Sequence, residues 1–160
     1  ISEESENKKE LFKFLEKYAP SALVCTNTSS IDPELLITNR SKICMLHFMN
    51  PISSLKFVEF ACFPEFKKNI NAIEKFVEDI KFEFIQVEAI GGLVANRVLF
   101  SYLNTVENLK EYGIEEELTD KIFNLLIGSD MNSKKIQKII GNDVYKKIMQ
   151  NFKEQNIIAD

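Results

Sequence analysis

The sequence contains no tryptophan, one histidine (His47), two arginines (Arg40 and Arg97) and five glycines, none of which precedes Gly91. The lack of early glycine excludes a G-x-G-x-x-G dinucleotide loop and a phosphate-binding P-loop from the first 90 residues. Both motifs need glycine where backbone amides approach phosphate. With a single histidine, three widely spaced cysteines and no C-x-x-C, no Cys/His zinc site can be assembled. Cys25, Cys44 and Cys62 each stand in an apolar stretch and read as buried thiols of a reducing compartment. No apolar run approaches the roughly 18 residues of a membrane span. The polar, acidic opening Ile1-Ser2-Glu3-Glu4-Ser5-Glu6 does not read as a signal peptide. A net charge of −4 and the scarcity of arginine argue against nucleic acid or an anionic membrane as partner. What is present is globular: 160 residues, 45% hydrophobic, with 13 phenylalanines to fill a core.

The first half alternates helix and strand signals. Leu11, Phe12, Leu15 and Tyr18 share a helical face, and Pro20 follows. Ala22-Leu23-Val24-Cys25 reads as a strand covered on both faces. Asp32-Pro33-Glu34 reads as a helix start, residues 43–48 and 56–62 as strands, Ile70 to Ile80 as an amphipathic helix, and residues 82–87 as a fourth strand. This alternation predicts an α/β layer with a mainly parallel sheet. From Leu93 the period is helical. Leu99, Leu103 and Val106 lead a long helix ending at Gly113, and Leu118, Ile122 and Leu125 a second ending at Gly128. Ser133 is expected to cap a third and Asp143 a fourth. The acidic run Glu115-Glu116-Glu117 reads as a solvated first turn. The expected organisation is α/β over 1–90 followed by all-α over 91–160, with the boundary near Gly91-Gly92.

Four segments could carry chemistry, and each has a plainer reading. His47, in the apolar strand Met45-Leu46-His47-Phe48, is either a satisfied core residue or a base. Glu59 shares a strand face with Phe57 and Ala61; it is either an edge-strand surface residue or a buried carboxylate in need of a partner. The turn from Asn50-Pro51 to Ser54 can bring His47 and Glu59 to neighbouring positions, the usual arrangement of a general base with its orienting carboxylate. Thr26-Asn27-Thr28-Ser29-Ser30 directly follows a strand, where open α/β sheets bind ligands, and is otherwise an ordinary capping loop. Asn96 is either a cap-region residue of a long helix or a ligand contact.

In order along the chain, five segments resemble motifs of the 3-hydroxyacyl-CoA dehydrogenases. Residues 1–12, with Glu3 and Lys8, resemble V-x-E-x-L-x-x-K-x-x-x-F. Ala22 to Ser30 resembles A-I-x-x-[ST]-N-T-S-S, and Leu46-His47-Phe48-Met49-Asn50-Pro51 resembles [MG]-H-F-F-N-P with Met49 in place of Phe. Leu55-Lys56-Phe57-Val58-Glu59 resembles M-x-L-V-E, and Gly92 to Leu99 resembles G-F-I-x-N-R-[IVL]-L. The resemblance covers about the first 110 residues. It implies a partial Rossmann-like nucleotide-binding domain followed by a helical substrate and dimerisation domain, and NAD-dependent oxidation of a 3-hydroxyacyl-CoA to the 3-oxo ester. It implies His47 as base, Glu59 as its orienting carboxylate and Asn96 as a third catalytic group. Ser29, Asn50 and Asn96 would meet substrate, and Glu3, Lys8, Asn27, Ser29 and Asn50 would meet NAD. An acyl-CoA substrate, a homodimer and an intracellular, cytoplasmic location follow from the same resemblance, or the mitochondrial matrix in a eukaryote.

The departures are specific. The family's N-terminal βαβ unit is not in this sequence, which therefore reads as part of a longer chain or as a short paralogue that relies on a partner. Gly91 stands where the family has proline, the loop from Ser30 to Ile43 is shorter, and residues 128–135 replace P-M-G-P-F-E. A non-catalytic binding or assembly module derived from this fold, or a sister dehydrogenase for another 3-hydroxy acid, is the alternative.

Overall fold

The structure is a computed structural model that describes residues 5–158. It divides into two compact units, Ile1–Asn96 and Arg97–Asp160. In the first, α1 (Ser5–Tyr18), β1 (Val24–Thr26), α2 (Pro33–Leu36), β2 (Ile43–Phe48) and β3 (Phe57–Ala61) are followed by a 3-10 turn (Pro64–Asn69), α3 (Ile70–Asp79) and β4 (Glu83–Gln86). The strands lie in the order β1-β2-β3-β4. The β1–β2 and β3–β4 pairs are parallel, as the alternation of elements predicts, whereas β2 and β3 are antiparallel. Residues 49–56, between these two strands, are too few for the crossover of roughly a dozen residues that a parallel pair requires.

Side chains alternate across the sheet. Ile43, Met45 and Ala61 point to one face, in a buried cluster with Phe12 of α1, Leu36 of α2 and Leu93. Cys44, Leu46, Val58 and Phe60 point to the other, where Ile73 and Val77 of α3 cover them. A sheet buried on both faces explains why β2 reads as an unbroken apolar run. Asp32 starts α2 by accepting the Glu34 N–H at 2.9 Å, with Pro33 in the first turn.

The edge strand departs from its sequence reading. Among the described residues β1, three residues long, borders only β2; Val24 is half-buried and Cys25 exposed. Of the three cysteines expected to be buried, Cys44 is buried and Cys62 half-buried.

The second unit is helical. It contains the greater part of α4 (Ala95–Glu111), then α5 (Glu116–Ile127), α6 (Ser133–Ile140) and α7 (Asn142–Glu154). Phe100, Ile148 and Phe152 form one buried cluster, and Tyr102, Leu103 and Val106 form another. Gly128 ends α5 in the left-handed conformation, φ 67°, as its position predicts. Both caps expected downstream move upstream, by one residue for α6 and by two for α7. Asn132 caps α6 by accepting the Lys135 N–H, because Ser133 is turned inward onto Asp120. Gly141 occupies the cap position of α7, and Asp143 lies inside its first turn. The acidic run is not wholly solvated: Glu116 is half-buried, held by Lys110 at 2.5 Å and Lys134 at 3.3 Å. Leu118, Ile122 and Leu125 lie on the exposed side of α5, whose buried residues are Thr119 and Asp120. Among the described residues no helix is long and apolar enough to cross a membrane.

Candidate active site

The antiparallel β2–β3 pair places His47 directly opposite Glu59 in register. His47 Nδ1 and Glu59 Oε2 are 2.8 Å apart. Both side chains are buried, at 7% and 2% exposure, so neither can exchange this bond for water without local opening. The bond puts the ring proton on Nδ1 and leaves Nε2 as the basic nitrogen.

Glu59 is held from its other oxygen as well. Oε1 accepts the backbone N–H groups of Val94, at 2.9 Å, and Ala95, at 2.8 Å. These are donors of the first turn of α4, which have no partner within the helix and carry its positive dipole end. The carboxylate therefore caps the helix from the sheet, and the division between the two units falls past it, within the first turn of α4. The chain enters this turn through Gly92, φ 83°, and Leu93, φ 45°. A left-handed conformation costs an L-residue roughly 1–2 kcal/mol; complete burial of Leu93 offsets it.

Burial is the largest influence on Glu59 and pushes its pKa up. The His47 bond and the amides of Ala95 and Val94 act oppositely and prevail, so the group titrates below its ordinary 4.5. A carboxylate depressed in the folded state adds stability that is complete above its unfolded pKa and is lost as pH falls through the folded value. The protein is therefore expected to lose stability below pH 4.5 with a slope that Glu59→Gln reduces. Urea midpoints measured across that range check this; equal slopes would remove the linkage.

A second polar pair lies beside the first. Asn96 Nδ2 donates to Ser29 Oγ at 2.5 Å, and both residues are buried. The Ser29 carbonyl accepts the Gly92 N–H. The loop after β1 is thus fastened to the turn that presents Val94 and Ala95 to Glu59. Asn27, the exposed residue that follows β1, accepts the Phe48 N–H at 2.9 Å and so ties β1's carboxyl end to β2's. Asn50, also exposed, lies beyond β2 and precedes a cis proline, Pro51. Lys8 is half-buried on α1. Glu3 lies outside the described residues.

The structure thus joins His47 to Glu59 and Ser29 to Asn96, and leaves Asn27 and Asn50 at the carboxyl ends of neighbouring parallel strands. Sequence reading missed the Val94 and Ala95 amides as Glu59 partners. The available signal was Gly91-Gly92 just upstream of a helix preceded by Val94, whose side chain cannot accept a hydrogen bond.

Comparison with known proteins gives the chain's family and fold relatives. Residues 1–90 match the family described as "3-hydroxyacyl-CoA dehydrogenase, NAD binding domain". The mitochondrial hydroxyacyl-coenzyme A dehydrogenase of Sus scrofa is 28% identical over 162 residues, covering 98% of this chain and 52% of the relative. The chain spans about half the length of the mitochondrial relatives it matches. Among solved structures, (S)-3-hydroxybutyryl-CoA dehydrogenase PaaH1 from Ralstonia eutropha shares the fold, with a TM-score of 0.82 at 21% identity, over 99% of this chain and 58% of that one. The 3-hydroxybutyryl-CoA dehydrogenase of Escherichia coli gives a TM-score of 0.79 at 26% identity, over 96% of this chain and 34% of that one. With more than half of its length matched by the family's NAD-binding domain, this chain belongs to the 3-hydroxyacyl-CoA dehydrogenase family.

Proposed function

We propose that this chain carries the acid–base machinery and the nicotinamide-end groups of an NAD-dependent oxidation of a 3-hydroxyacyl-CoA to its 3-oxo ester. The observation that carries the reading is the buried His47–Glu59 pair, Nδ1 to Oε2 at 2.8 Å. His47 Nε2 takes the proton of the C3 hydroxyl. Glu59 keeps the ring in the tautomer that exposes this lone pair and stabilises the imidazolium that results. Glu59 itself stays ionised, held so by the Val94 and Ala95 amides. Asn96, positioned by Ser29, lies in the sequence directly after the amide of Ala95 that anchors Glu59. It offers a carboxamide to the substrate oxygen, and Asn50 offers another.

The residues present fit one end of NAD. Asn27 and Asn50 follow the carboxyl ends of parallel strands, where such sheets bind ligands, and Ser29 adds a hydroxyl. They suit an amide-bearing ring; the residues that would cradle a pyrophosphate are not among them, since no glycine precedes Gly91. When bound, NAD supplies the hydride acceptor. Lys8 is assigned to the same cofactor surface. A homodimer formed through the helical residues 91–160 belongs to this reading, as does an intracellular, cytoplasmic location, or the mitochondrial matrix in a eukaryote.

The test is NADH oxidation by the purified protein with acetoacetyl-CoA and, separately, with free acetoacetate. Turnover of the CoA ester alone is the expected result. Turnover of the free acid alone would assign a sister dehydrogenase. Failure of both would turn the assignment toward a binding module built on this fold.

A further inference from the structure

Residues 92–96 fasten the acid–base pair to the rest of its unit, each by a different tie. Gly92, φ 83°, donates its N–H to the Ser29 carbonyl at 2.5 Å. Leu93, φ 45°, donates its N–H to the Ile90 carbonyl at 3.1 Å. Val94 and Ala95 donate theirs to Glu59 Oε1, and the Asn96 side chain donates to Ser29 Oγ. Leu93 supplies the apolar anchor of this segment: it is fully buried, in the cluster that holds Leu36, Met45 and Ala61. Met45 and Ala61 stand two residues from His47 and Glu59 on the same strands, so the cluster and the pair share one face of the sheet. A positive φ is disfavoured for leucine, because its Cβ crowds the backbone. A change of φ at Leu93 rotates the Val94 and Ala95 N–H groups relative to the chain before them, and so away from Glu59.

We propose that Leu93 is a positioning residue of the acid–base pair: its side chain, seated in the sheet core, holds the turn whose next two amides fix Glu59, and Glu59 in turn fixes the tautomer of His47. The consequence for turnover rests on His47 being the base; the consequence for the His47 ring does not. With Oε1 on two amides and Oε2 on Nδ1, the Glu59 carboxylate has one orientation. Released from the amides, it can turn about its side-chain bonds, and Nδ1 loses a fixed acceptor. The hydrogen bond at one ring nitrogen decides which nitrogen carries the proton, so a neutral ring without it divides the proton between the two.

His47 is the sole histidine of the sequence, so heteronuclear NMR of untagged protein reads its ring nitrogens without ambiguity. At a pH where the ring is neutral, wild-type protein is expected to show Nδ1 as a protonated nitrogen and Nε2 as a bare one. Leu93→Ala is expected to bring the two shifts toward each other as the tautomers mix. Leu93→Met, which conserves most of the volume, is expected to restore them. Leu36→Ala is the matched control. It removes the same atoms from the same cluster, also fully buried, and should lower the urea midpoint while leaving both ring shifts as in the wild type. Where Leu93→Ala does not fold, Gly92→Ala is compared with Gly113→Ala. Both glycines are left-handed, φ 83° and 78°, and nothing lies within 4 Å of a Cβ added at Gly113. Only Gly92→Ala should mix the tautomers. In Leu93→Ala kcat should follow the ring and fall by up to about 10²-fold, the cost of misplacing a reacting group, with KM for acetoacetyl-CoA little changed. Wild-type ring shifts in folded Leu93→Ala, or in Gly92→Ala in its stead, would overturn the proposal. So would equal mixing in Leu36→Ala. A wild-type ring protonated at Nε2 would overturn the His47–Glu59 reading and this proposal with it. The expected ring without turnover would count against the proposed function alone, since the comparison of variants still decides the role of Leu93.

Discussion

Replacing His47 with Gln is expected to lower acetoacetyl-CoA-dependent NADH oxidation by about 10²–10⁴-fold, the usual contribution of a positioned acid–base group. Glutamine is close to histidine in reach, and its amide can still donate to Glu59 Oε2, so the buried carboxylate keeps a partner there and its two backbone bonds to Val94 and Ala95. What the substitution removes is a nitrogen that can gain and lose a proton. The loss should therefore fall on kcat, with KM for the CoA ester and NADH binding changed little. Glu59→Ala should behave differently. It releases the imidazole and also uncaps α4, so folding stability should fall along with the rate. Steady-state kinetics of the two variants beside urea midpoints separate these effects. A His47→Gln enzyme within a few-fold of wild type would remove His47 as the base, whatever becomes of Glu59.

The sequence was informative where local pattern and burial coincide. Residues 43–48 read as a strand to the residue, because an apolar run bounded by polar residues has no better use in an α/β layer. The placement of Glu59 on the face of Ala61 followed from the two-residue period, and the turn at Asn50-Pro51 made a meeting with His47 reachable. The antiparallel sense of that meeting is what the short connection in residues 49–56 requires. Longer-range choices were not legible. Glu59 finds its other two donors 35 and 36 residues away, at the start of α4. Asn132 and Ser133 are equally competent caps by type; a carboxylate 13 residues upstream takes Ser133 and leaves the cap to Asn132. The exposure of Cys25 is a matter of the strand order, not of the residues of β1 itself.

That upstream carboxylate, Asp120, carries the largest expected effect on stability. It sits on α5, buried, and receives three hydrogen bonds. Tyr102 of α4 donates from its hydroxyl at 2.5 Å, and Ser133 of α6 donates from its backbone N–H at 3.0 Å and its hydroxyl at 3.1 Å. Burial, followed by the nearby carboxylate, pushes the Tyr102 phenol well above its ordinary range, so it stays protonated and remains a donor. Asp120→Ala removes the shared acceptor of all three donors in surroundings where Tyr102 is 4% and Ser133 1% exposed. Each buried group left without a partner costs about 1–3 kcal/mol, and the substitution removes the acceptor of three donors at once. Against the roughly 5–15 kcal/mol that holds a typical domain together, a loss of this size should nearly unfold the helical unit. Tyr102→Phe is the calibrating variant. It keeps the ring stacked on Phe123, at 4.3 Å between centroids, and leaves Asp120 with both Ser133 donors, so it should cost about 1 kcal/mol. Urea titration followed by helical circular dichroism, with amide exchange across α4 to α6, should show Asp120→Ala far below Tyr102→Phe. Equal losses would mean that the phenol bond alone matters and that Asp120 does not join the three helices. A steep difference would identify this one carboxylate as the bolt through the helical unit, a role that its place in a run of helix-forming residues gives no hint of.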